Sequence, residues 1–185
     1  MRGSIALSAA LMTALLVGVV GAAWLTSGAL ASMNATAVAA GDVDIGPLID
    51  DASFLGIAAR NLSVVALLAA GIPLLGIPTL LSLPVSAMIV GFAGASVVAS
   101  LGLPLTLDRV GTYIVLELGG IVLGAAAGVL PTVHASRRAL VRAHAGRFAD
   151  AYTAAILPAL GVSVVAAALI LLGAAIEAAA ITALA

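Results

Sequence analysis

Residues 110–130 read VGTYIVLELGGIVLGAAAGVL. The run is long enough to cross a bilayer, which takes about 20 apolar residues. It carries one carboxylate, Glu117, and three glycines spaced by four, Gly120, Gly124 and Gly128. That spacing puts the glycines on one helix face, where a neighbouring backbone can approach closely. The helix thus has a smooth packing seam and one group that hydrocarbon rejects. An ionisable residue at membrane depth points to a functional site. The rest of the chain reads as helices packed around this one.

Composition sets the solvent. Of 185 residues, 64% are hydrophobic and 8% are charged. A soluble domain carries about 25% charged residues, so water does not surround most of this chain. Cysteine is absent, which excludes disulfides, thiolate metal ligands and cysteine nucleophiles. All seven basic residues are arginine and the formal net charge is −1, so no nucleic-acid partner is expected. The sequence has no P-loop, no G-x-S-x-G elbow and no H-E-x-x-H pair. His134 and His144 lack a third ligand and read as solvated. No cofactor, no metal site and no catalysis are expected.

The apolar runs define an all-α, polytopic transmembrane bundle of about five spans within a single membrane domain. The spans are 5–25, 62–83, 85–103, 110–130 and 152–176. The first is open to two readings. Arg2, an apolar run and Ala29-Leu30-Ala31 fit a secretory signal. The run is longer than the ~7–15 residues of a signal core, which favours a retained helix. Residues 26–53 form an acidic region with Asp42, Asp44, Asp50 and Asp51 and no basic residue. Its later part, 45–59, reads equally as an interfacial helix or an ordered loop.

The second span contains Gly71, Pro73, Gly76 and Pro78, so it should be kinked. Pro84 then starts a tight connection. The third span has a small-residue face of Gly91, Gly94, Ala95 and Ser96. Pro104 should stop it, with a loop over 104–109. Residues 131–150 form a basic loop holding Arg137, Arg138, Arg142 and Arg147. Cytoplasmic loops are enriched in arginine, so Arg2 and this loop belong inside, with the N-terminus. The 26–53 region then lies outside. Beyond orientation, the arginines suit binding of anionic membrane lipid.

Polar residues gather near the outer ends of the spans: Arg60, Asn61, Tyr113, Glu117 and Glu177. One reading is a structural clamp. Arg60 pairs with Glu117, while Asn61 and Tyr113 add hydrogen bonds. The other is a groove that takes a partner helix, a lipid head group or an ion. For the glycines, packing within the bundle is favoured over a homo-oligomer seam.

Three stretches carry a resemblance. The first is Ala59-Arg60-Asn61-Leu62, leading to Gly71-Ile72-Pro73-Leu74-Leu75-Gly76-Ile77-Pro78-Thr79-Leu80. The second runs from Gly111 through Glu117-Leu118 to Gly128. The third is Gly173-Ala174-Ala175-Ile176-Glu177-Ala178. Together they resemble the stage II sporulation protein M family of integral membrane proteins, from Phe54 onward. The family's Pro-His-Gly is not matched in full: Val110 precedes Gly111 and the histidine is missing. The resemblance implies a multi-helix bundle without known catalysis. Its sporulation members anchor peptidoglycan hydrolases in the membrane, and some relatives lie beside transporter genes. It implies a scaffold or accessory protein of the cell membrane whose partner is a cell-envelope enzyme. The alternative is the permease subunit of a transporter with a separate ATPase chain.

Overall fold

The structure, a computed structural model, describes residues 1–38, 53–141 and 148–182. Five helices make up the described chain: α1 (Arg2–Val38), α2 (Phe54–Ala69), α3 (Ile77–Leu101), α4 (Leu103–Val141) and α5 (Phe148–Thr182). The described residues contain no strand. Segments Arg2–Ser27, Ile77–Leu101, Leu103–Leu140 and Phe148–Thr182 are long and apolar enough to cross a membrane; α2 is a shorter apolar helix. The chain is therefore an all-helical bundle of membrane type.

The helix at the centre is α4. Among the described residues it alone packs against all four others. Small residues allow this: Ala125, Ala126 and Ala127 are buried on successive faces of one turn. Without a hydrophobic drive between helices in lipid, close van der Waals contact must hold them together. Met12 and Leu16 of α1 meet Leu83 and Ala87 of α3 and Ile121, Ala125 and Val129 of α4 in the main core. α1 is thus one wall of the bundle. Gly91 makes that wall possible: a Cβ there would lie 2.6 Å from Ala23 Cβ and 2.9 Å from the Val20 carbonyl.

The helix breaks fall elsewhere than local signals suggest. The expected kinked span 62–83 is two helices. α2 ends at Ala69, residues 70–76 form a turn, and α3 starts at Ile77 with Pro78 in its first turn. Leu75 and Gly76 take left-handed angles, φ 56° and φ 81°. Gly71 packs directly on Gly128 and Thr79, leaving no room for a side chain. Away from water, the turn's backbone groups need protein partners. The Tyr152 hydroxyl supplies two: it donates to the Ile72 carbonyl at 2.5 Å and accepts from the Leu75 N–H at 3.1 Å. The Thr79 hydroxyl donates to the Leu68 carbonyl at 2.6 Å.

Pro84, expected to open a connection, lies inside α3. The expected loop 104–109 is helical: Gly102 alone, at φ 77°, joins α3 to α4. Pro104 stands in the first turn of α4, where its missing N–H costs nothing. The basic stretch also differs. α4 runs on through Pro131 to Val141, so Arg137 and Arg138 are helical. Of the 26–53 region, 39–52 lies outside the described residues, residues 26–38 continue α1, and Phe54 begins a helix capped by the Ser53 hydroxyl.

Candidate functional site

Three helices bring the polar residues together. Arg60 and Asn61 lie on α2, Tyr113 and Glu117 on α4, and Glu177 on α5. Glu117 sits fourteen residues from the start of α4, roughly 21 Å along the axis. Asn61 Nδ2 donates to Glu117 Oε1 at 2.5 Å. That bond joins α2 to α4 beside the seam where Gly124 faces Val65. The Glu117 side chain lies over Gly173 of α5, where a Cβ would come within 2.9 Å of Glu117 Cγ. Gly173 thus shapes the site by having no side chain.

The Arg60–Glu117 clamp is not formed. Arg60 is exposed and makes no ion pair with Glu117; the direct partner is Asn61. Arg60 still lies within electrostatic reach of Glu117 and Glu177, and the two carboxylates are within reach of each other. Tyr113 makes no hydrogen bond to Glu117 but shares the field of both acids. The site therefore holds two carboxylates and one more distant guanidinium, with most carboxylate oxygens free of hydrogen-bond donors from the described residues.

Two cavities meet at Glu117. One, of about 270 Å³, lies between α2, α3 and α4 and includes Arg60, Asn61, Ser86 and Ile121. The other, of about 450 Å³, opens between α3 and α4, bordered by Trp24 of α1 and Glu177 of α5, and includes Gly94 and Tyr113. Glu117, Val90 and Ile114 line both. The single-residue Gly102 joint holds α3 and α4 together at one end, and the larger space opens beside it. Apart from the named polar groups and Thr106, the walls are apolar. Trp24, Val90 and Ile114 were not singled out by sequence, since apolar residues on apolar helices carry no signal of their own.

The seam glycines face different partners. Gly120 lies on Ile170 and the Ala166 carbonyl of α5, Gly124 on Val65 of α2, and Gly128 on Leu68 and Thr79. All three contacts are within the bundle. His134, expected to be solvated, is buried and bonded to Ser4 of α1, Nδ1 to Oγ 3.1 Å. It faces inward because α4 continues as a helix where a loop was expected. His144 lies outside the described residues. The described residues contain no group of three or more potential metal ligands. No protein-family model, curated protein or solved structure matches the chain.

Proposed function

We propose that the chain is a non-catalytic scaffold of the cell membrane that recruits a partner protein through the groove between α3 and α4. The occupant is a transmembrane helix of the partner that inserts one long donor side chain, basic or amide, toward Glu117 and Glu177. One observation carries this reading. Glu117 lines two cavities and keeps acceptor capacity open to them, instead of being closed off by a cation. Carboxylates at membrane depth are costly unless partnered, and a donor from a second chain completes the set. A space of about 450 Å³ suits one inserted side chain rather than a whole helix. The resemblance to stage II sporulation protein M supports a cell-envelope enzyme as the partner class.

A photoreactive residue at Ile114 tests this in cells. It should crosslink to a membrane protein, and Glu177→Gln should abolish the adduct. The same probe at Leu157, 77% exposed on α5, should not give it. An adduct that survives Glu177→Gln, or lipid adducts alone at Ile114, would overturn the reading. A permease subunit is the second reading. The turn at 70–76 interrupts the backbone between two apolar helices, a feature that transporters use at substrate sites. Co-purification of an ATPase chain would favour it.

A further inference from the structure

The other end of the bundle carries a cationic corner. There α1 begins beside the C-terminal part of α4. The Arg137 guanidinium lies across Gly3, so that a Cβ there would be 3.1 Å from Nη1 and 3.5 Å from Nη2. Nη1 is 3.5 Å from Ser4 Oγ. Ser4 and His134, both buried and joined by a hydrogen bond, fix the two helices beneath it. The charged side chains in electrostatic reach of the His134 ring are Arg137 and Arg138, both cationic.

No carboxylate balances them nearby in sequence: residues 1–41 and 131–149 contain no Asp or Glu. Asp150, in the first turn of α5, forms no ion pair with either arginine. The first helical bonds of α1 run from Ser4 and Ile5 to the Met1 carbonyl. The Arg137 guanidinium thus stands over the start of α1 with Arg138 nearby, and no carboxylate of the described residues pairs with either. Exposed Leu7 and Leu11 continue along α1 from it toward the bilayer core.

We propose that this corner binds a phosphate group, and that its source is the head group of an anionic phospholipid. Guanidinium matches phosphate in two parallel hydrogen bonds, and the leucines below give the acyl chains an apolar track. The site is independent of the groove between α3 and α4.

Native mass spectrometry of the delipidated protein, offered phosphatidylglycerol or phosphatidylcholine, provides the test. The wild type should retain phosphatidylglycerol preferentially. Each arginine near the membrane surface contributes about 1 kcal/mol toward anionic lipid, or about fivefold in affinity. Arg137→Gln and Arg138→Gln should each lower retention by about that factor, whereas Arg109→Gln, at the far end, should not. Gly3→Val keeps every charge but displaces the Arg137 guanidinium, and it too should lower retention. Thermal melting of each variant separates loss of the site from loss of the fold. Equal retention of both lipids by the wild type, or unchanged retention in Arg137→Gln with Gly3→Val, would overturn the site. If inorganic phosphate binds alone and displaces the lipid at equal concentration, the source is free phosphate and the lipid assignment falls.

Discussion

At the scale of single residues, the bond from Asn61 to Glu117 sets the expected mutational pattern. Removing the amide in Asn61→Ala strands a half-buried carboxylate, at a cost of about 1–3 kcal/mol. Adding Glu117→Gln removes the stranded charge, so the double variant should lose less than the sum of the singles. Arg60 is exposed and not bonded to Glu117. Arg60→Gln and Glu117→Gln should therefore couple more weakly than Asn61→Ala and Glu117→Gln, through the electrostatic field alone. Thermal unfolding in detergent measures both cycles. Strong coupling of Arg60 with weak coupling of Asn61 would refute this arrangement. The sequence placed both residues on one helix near the carboxylate's depth. Which of two neighbours points inward depends on the rotation of α2 against α4, and that is fixed by Val65 seated on Gly124, a contact distant in sequence.

The glycines give a second residue-level test. A methyl group at Gly128 would run into the Leu68 carbonyl and the Thr79 hydroxyl, whereas at Gly111 it would meet open space. Gly128→Ala should lower stability by about 1–3 kcal/mol, the usual range for overpacking. Gly111→Ala should be neutral or slightly stabilising, because alanine is the better helix former. Equal melting temperatures for the two variants would mean that the seam is not packed as described.

At the scale of elements, the turn at 70–76 is the part least open to local reading. Pro73 and Pro78 near the true break carry the same local message as Pro84 and Pro131 inside continuous helices. What separates them is mainly tertiary. Gly71 needs the bare backbone of Gly128, and Tyr152 of α5 bridges Ile72 and Leu75. The Tyr152 contact leaves no mark near the prolines, whereas Gly71 and Gly76, two residues before Pro73 and Pro78 and without counterparts there before Pro84 and Pro131, do. The four helices long enough to span, and their order, by contrast, follow from hydropathy, because bilayer thickness sets how long an apolar run must be; the short α2, expected as part of a full span over 62–83, does not. Tyr152→Phe keeps the ring and removes the hydroxyl. The Ile72 carbonyl and Leu75 N–H then lose their partner, at about 1–3 kcal/mol. Amide hydrogen exchange at 70–76 should rise in this variant while α4 stays protected. Unchanged exchange in the turn would assign it other supports.

At the scale of the whole molecule, α1 starts beside the basic end of α4, so Arg2, Arg137 and Arg138 share one end of the bundle. The arginine bias then argues that this end is cytoplasmic. The chain has no cysteine, so single introduced cysteines report without background. Asp108→Cys should react with an impermeant reagent in intact cells, and Ala139→Cys only after permeabilisation. The reverse pattern would invert the orientation.

The place of α4 also governs how the protein can be made. The chain leaves the ribosome from its N-terminus, so α1, α2 and α3 enter the membrane before the helix on which they all pack. Until then α1 and α2 each touch α3, but among the described residues they do not touch each other. The early helices must wait in the lipid as loosely associated pieces, and the fourth gathers them. Chains stopped after Leu101 should insert yet fail to assemble, and membrane proteases should clear them quickly in a pulse-chase experiment. Chains stopped after Val141 should already persist longer. Late closure of this kind leaves an interval during synthesis in which chaperones or neighbouring membrane proteins can engage the unfinished bundle.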